Sequence, residues 1–126
     1  MTNVVDASVV LAIIFDEPGG QEAVDAIADS LISTVNLSEV LTRCIEQGAE
    51  VSFAAQQIDR LNIAIVPFTA DDARTAAELR KPTRHRGLSL GDRACLALAR
   101  REGLPVLTAD RRWEGLDVGV EISLIR

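Results

Sequence analysis

Short runs of β-branched and aliphatic residues recur along this chain, each followed by a longer stretch with helical spacing. That alternation leaves few folds open. Residues 2–6, 31–35, 63–67, 104–108 and 120–125 read as strands. Residues 8–15, 21–29, 52–62, 69–79 and 89–101 read as helices, and another runs from an Asn36 N-cap to Gly48. Thr69 and Ser89 are placed as N-caps, and Gly103 as a helix stop. Pro82 and Gly87 break the pattern, so residues 81–88 are expected as a loop. Residues 110–113 start a short turn or helix. The expected order is β-α-α-β-α-α-β-α-α-β-(α)-β. Short apolar strands separated by helices predict a parallel sheet covered on both faces. With 126 residues, the chain suits one α/β domain over 1–126.

Composition removes several classes. Hydrophobic residues make up 48% and charged residues 25%, which suits a packed soluble domain rather than a disordered one. The longest apolar run covers residues 9–15, too short for a membrane span of ~20 residues. No cationic start precedes an apolar stretch, and Cys44 and Cys95 form no CxxC pair, so a reducing cytoplasm is expected. Charge is segregated. Residues 1–79 carry 3 basic and 13 acidic groups, whereas residues 80–112 carry 9 basic and 3 acidic groups. Eight of those nine are Arg, the side chain best suited to bidentate phosphate contact.

Four acids share one kind of position. Asp6 ends the first strand, Glu39 lies in the first turn after the second, Asp92 opens the helix after the basic segment, and Asp110 follows the fourth strand. In an open parallel sheet such junctions gather outside the carboxyl ends of the strands, where ligands bind. Taken singly, each acid has a simpler explanation: acids cap helices and complement the helix dipole. Capping gives no reason for Asp6, on an apolar strand end, to face the same edge. Packed carboxylates repel unless a cation intervenes, and with no Cys or His cluster the natural occupant is Mg²⁺ or Mn²⁺. Such an ion beside Arg-rich segments points to phosphodiester chemistry. A P-loop and a GxGxxG turn are both missing from the sequence.

Four segments, Val4-Val5-Asp6-Ala7-Ser8, Val35-Asn36-Leu37-Ser38-Glu39-Val40, Leu88-Ser89-Leu90-Gly91-Asp92-Arg93-Ala94 and Val106-Leu107-Thr108-Ala109-Asp110, resemble the motifs of PIN-domain nucleases. The similarity is closest to VapC-type toxins of bacterial toxin–antitoxin pairs. It covers the whole chain, including the Gly103-Leu104-Pro105 turn and the terminal strand. The resemblance implies an α/β/α sandwich with a mainly parallel sheet and a Mg²⁺- or Mn²⁺-dependent endoribonuclease. By position, Asp6, Glu39, Asp92 and Asp110 are the catalytic and metal-binding acids. Ser8 and Thr108 match the small polar residues that support the first and last acids, and Asn36 matches the residue before the Glu turn. The family also implies a homodimer and a cognate antitoxin, with which a larger complex can form.

Arg84 and Arg86 read as an RNA-contacting rim. Arg93, next to Asp92, could ion-pair inside the site or touch phosphate. Phe15, Phe53, Phe68 and Trp113 read as core or interface anchors. Two other readings compete with an RNase toxin. One is a catalytically silent member of a regulatory complex, and the other is a DNA-directed nuclease of the same fold. Cleavage of RNA and DNA by the isolated chain discriminates all three.

Overall fold

A computed structural model describes residues 2–126. Five strands, β1 (Val4–Val5), β2 (Leu31–Ser33), β3 (Ala64–Val66), β4 (Val106–Thr108) and β5 (Ile122–Leu124), form one sheet in the order β3-β2-β1-β4-β5. Every pairing is parallel. Seven helices connect the strands: α1 (Ala7–Ile14), α2 (Gly20–Ile27), α3 (Thr34–Glu46), α4 (Val51–Asp59), α5 (Ala70–Glu78), α6 (Arg80–Thr83) and α7 (Leu90–Glu102).

The two-residue period of the strands divides the core. Val5, Ile32 and Leu107 point to one face, where Val9, Val10, Ile27, Val40 and Ile58 of α1–α4 pack on them. Val4, Leu31 and Val106 point to the other, against Leu79, Leu88, Cys95, Leu96 and Trp113. The central strands β1, β2 and β4 are buried on both faces and therefore need apolar residues at both alternating positions, which is why they read as apolar runs.

The chain runs outward from β1 to β2 and β3, then returns to the other side of β1 for β4 and β5. The sheet's switch point lies between β1 and β4, where two diverging crossovers leave a crevice at the carboxyl ends. The residues that leave those two strands into it are Asp6 and the pair Thr108 and Asp110.

Two local expectations change. Ser33, not Asn36, caps α3: its Oγ accepts the Val35 N–H at 3.2 Å. The strand stops at Ser33, so a hydroxyl is already in place there and Asn36 falls inside the first turn. The expected loop over 81–88 is largely helical, with α6 followed by a 3₁₀ turn at Arg84–Arg86. Pro82 fits because it lies within the first turn of α6, where no intrahelical N–H is required. Thr83 ties this piece down by donating to the Leu79 carbonyl at 2.6 Å.

Candidate active site

Asp6, Ser8, Glu39, Asp92 and Asp110 line one open cleft of about 440 Å³, walled also by Ser38, Arg43 and Glu46 of α3. Asp6 is held first. Its Oδ2 accepts from Ser8 Oγ at 2.6 Å and from Thr108 Oγ1 at 3.0 Å. Those hydroxyls are themselves fixed, since Ser8 Oγ accepts the Ala109 N–H and Thr108 Oγ1 accepts the Asp110 N–H. Two hydroxyls from the β1 and β4 junctions thus lock the acid at the switch point.

Glu39 is oriented by Asn36, whose Nδ2 donates to Glu39 Oε1 at 2.9 Å and to the Gly91 carbonyl at 3.0 Å. This fully buried amide ties α3 to the start of α7. Asp92 belongs to a capping box: its Oδ2 accepts the Ser89 N–H at 2.8 Å while Ser89 Oγ accepts the Asp92 N–H. Capping and site chemistry coexist here, because a carboxylate has two oxygens. In each of Asp6, Glu39 and Asp92 one oxygen anchors the side chain, and the other takes no hydrogen bond among the described residues.

Asp110 is held differently. Arg112 Nη2 lies 2.6 Å from its Oδ2, Arg112 Nε lies 3.0 and 3.1 Å from its two oxygens, and the Arg112 N–H donates to Oδ1. Arg112 Nη2 also reaches Asp92 Oδ2 at 3.5 Å. Among the described residues no three carboxylate, His or Cys groups close around a common point. Asp6, Glu39 and Asp92 each keep an oxygen free at the cleft, whereas Asp110 is turned onto an arginine.

The electrostatics follow. Burial pushes the Asp6 carboxyl up to about 6, and Asp92 and Glu39 add to that against the Ser8 and Thr108 bonds. Glu39 is raised by burial and by Asp92, against its bond from Asn36. Asp110 goes the other way: burial would raise it, but the bonds from Arg112 outweigh that. Beneath the acids, burial raises the Cys95 thiol well above its ordinary value, so it stays protonated and is no nucleophile.

A divalent cation fits this donor set. The ligands are all oxygen, as hard cations require. Glu39 and Asp92, each with an uncommitted oxygen, stand beside the desolvated Asp6 carboxyl, which also has one, and Asp6 makes no ion pair among the described residues. Gly91 shapes the cradle: a Cβ there would sit 2.6 Å from Glu39 Oε1 and closer still to Oε2. Only glycine lets the Glu39 carboxylate lie over the first turn of α7.

Of the arginines, Arg84 is exposed. Arg86 Nη1 donates to the carbonyls of Arg112 and Glu114 at 2.7 and 2.8 Å. Arg93 Nη1 donates to the Ala76 carbonyl of α5 at 2.8 Å, and Arg93 makes no ion pair among the described residues. Sequence reasoning passed over Gly91 and Arg43. Arg43 lies one turn beyond Glu39, on the same face of α3, and that i,i+4 spacing was the available signal.

The PIN domain family model matches residues 4–119. The chain belongs to the PIN-domain family. A Ribonuclease VapC from Mycolicibacterium smegmatis is 30% identical over 124 residues, covering 91% of this chain and 96% of that protein. The structure is similar to a toxin–antitoxin complex from Klebsiella pneumoniae, with a TM-score of 0.77, 18% identity and coverage of 99% of this chain and 98% of that one. It is also similar to Mycobacterium tuberculosis VapC20, a Sarcin-Ricin loop cleaving toxin, at TM-score 0.72 and 19% identity, covering 93% and 97% of the two chains. These two likenesses establish the PIN fold, with its parallel sheet between two helical layers. No helix among the described residues is long and apolar enough to cross a membrane.

Proposed function

We propose that this PIN domain is a divalent-metal-dependent endoribonuclease and the toxin of a toxin–antitoxin pair, acting in the cytoplasm as one nuclease domain over residues 1–126. The observation that carries the reading is the convergence of Asp6, Glu39 and Asp92, each with one anchored and one uncommitted oxygen, at the switch point of the sheet.

In this reading Asp6, Glu39, Asp92 and Asp110 hold Mg²⁺ or Mn²⁺. When bound, such an ion supplies an activated water and offsets charge on the scissile phosphate. The rest of the work belongs to the chain. Ser8 and Thr108 hold Asp6 in one rotamer, so its free oxygen is aimed without reorganisation. Asn36 does the same for Glu39, and the Ser89 cap for Asp92. Such supporting bonds are worth ~10–100-fold in metal affinity or activity at comparable sites. Arg84 and Arg86, in the basic segment before α7, attract the RNA backbone. Arg86 contributes only what its two carbonyl bonds leave free, and Arg93 contributes charge from the α5 side. The named function of the relatives supports RNA as substrate and an antitoxin as partner. Exposed Ile45, Val51 and Phe53 on α3 and α4 support a homodimer through that region.

The test is cleavage of an RNA pool by the purified chain with Mg²⁺ or Mn²⁺, beside an EDTA control, a DNA substrate and the Asp6→Asn and Asp92→Asn variants. Cation-dependent RNA fragments that vanish in both variants are expected. No cleavage of any RNA by folded, cation-supplied protein would leave only a silent binding role in a regulatory complex. Equal cleavage of DNA would make it a nuclease of the other class.

A further inference from the structure

We infer that Arg112 is a tethered counter-ion of this site: it holds Asp110 and Asp92 until a cation enters, and it is then released to the phosphodiester of the bound nucleic acid. The inference rests on the metal-dependent reading above and adds a residue to it.

Three observations carry it. First, both Asp110 oxygens are engaged by Arg112, and the same guanidinium reaches Asp92, so a positive group stands where two of these acids meet. A cation recruiting Asp110 has to compete with it. Second, the guanidinium is removable. The Arg112 side chain is 51% exposed, and ion pairs at such exposure are weak. The other arginine that pairs with a carboxylate at bidentate distance, Arg101 on Asp72, meets an acid that is only 5% exposed and serves the fold. Third, the backbone of Arg112 is pinned independently of its side chain. Arg86 Nη1 donates to the Arg112 carbonyl at 2.7 Å, whereas the bonds from Arg112 Nη1 to the carbonyls of Gly87 and Arg86 at 3.1 and 3.4 Å belong to the guanidinium and part with it. When the side chain lets go, the Arg86 bond remains, and the guanidinium swings from a fixed point beside the cleft. Planar guanidinium groups engage carboxylate and phosphate with the same bidentate geometry, so the exchange needs no other change in the arginine.

The experiment measures Mn²⁺ binding to the metal-stripped full chain by electron paramagnetic resonance, for the parent, Arg112→Gln and Arg111→Gln. Affinity of a single-stranded RNA is measured in parallel in Ca²⁺. Arg112→Gln should bind Mn²⁺ about tenfold more tightly, because a competing charge is gone, yet bind RNA more weakly with a shallower salt dependence. Arg111→Gln removes the same charge from the neighbouring exposed arginine, which pairs with Glu114 instead, and should leave Mn²⁺ affinity near the parent value. Unchanged or weaker Mn²⁺ binding by folded Arg112→Gln overturns the inference, and so does undiminished RNA affinity. The same rise in Arg111→Gln also overturns it, by assigning the effect to net charge rather than to the Arg112 pairs. If the parent binds no Mn²⁺ at all, the metal-dependent reading fails instead.

Discussion

Replacing Asp6 with Asn should make the metal-free protein more stable, by an amount that grows with pH. The folded protein holds its Asp6 proton up to about pH 6, whereas an ordinary Asp releases it near 3.8. The native state therefore binds this proton more tightly than the unfolded chain does. Stability falls as pH rises from 3.8 through about 6, and the full penalty stands above that. The difference corresponds to about 3 kcal/mol at pH 7.5 and about 1 kcal/mol at pH 4.5. Asp6 is 4% exposed, so solvent screening reduces this little. The substituted amide is neutral at both pH values, and its oxygen can still accept from Ser8 and Thr108. Urea unfolding in EDTA should therefore find the Asp6→Asn variant ahead of the parent by those amounts, on the order of 10 °C in Tm at the higher pH. Equal stability of the two proteins at pH 7.5, or a gain that does not change with pH, would refute the idea that Asp6 is a desolvated charge awaiting a cation.

Four further outcomes follow from the geometry. Saturating Mg²⁺ should raise the Tm of the parent more at pH 7.5 than at pH 5 and should barely move Asp6→Asn, as read by thermal melts. Gly91→Ala should stay within about 1 kcal/mol of the parent in urea, since helix propensity offsets the lost Asn36–Glu39 bond. It should nevertheless lose ~10–100-fold in Mn²⁺ affinity as the Glu39 carboxylate is pushed aside. Arg101→Ala should cost about 1–2 kcal/mol at neutral pH, discounted for the partial exposure of Arg101. Burial alone would raise Asp72, but Arg101 and the Thr69 N–H hold it below its ordinary value, so this loss should fade as unfolding is measured below pH 3.8. Arg84→Ala should reduce RNA affinity in Ca²⁺ and lower the salt slope by ~0.7 with unchanged stability.

Much of this is written along the chain. Strands buried on both faces must be apolar at every position, so Val4-Val5, Leu31-Ile32 and Val106-Leu107 by themselves announce a covered parallel sheet. Acids at strand-to-helix junctions announce the cleft, because a parallel sheet puts all such junctions on one edge. Local signals also place the Ser89 and Thr69 caps, since a capping box is complete within four residues. Asn36 shows where local reasoning ends. It looks like a cap, yet Ser33 supplies the cap, and the Asn36 amide spans from Glu39 to a carbonyl 55 positions away. The loop expected at 81–88 is largely helical because Leu79 is buried with the strand residues Val4, Leu31 and Val106 and Thr83 bonds back to its carbonyl, and the packing half of that is a contact no local pattern reports. Which oxygen of each acid is anchored, the need for glycine at position 91, and the turning of Asp110 onto Arg112 all depend on distances between remote segments. Sequence determined which residues arrive at the edge, through the period of the strands and the places where they end. Tertiary packing decided how each carboxylate is aimed and which charges it meets, because those are set by contacts across α3, α7 and the β4 junction that no spacing in the chain encodes.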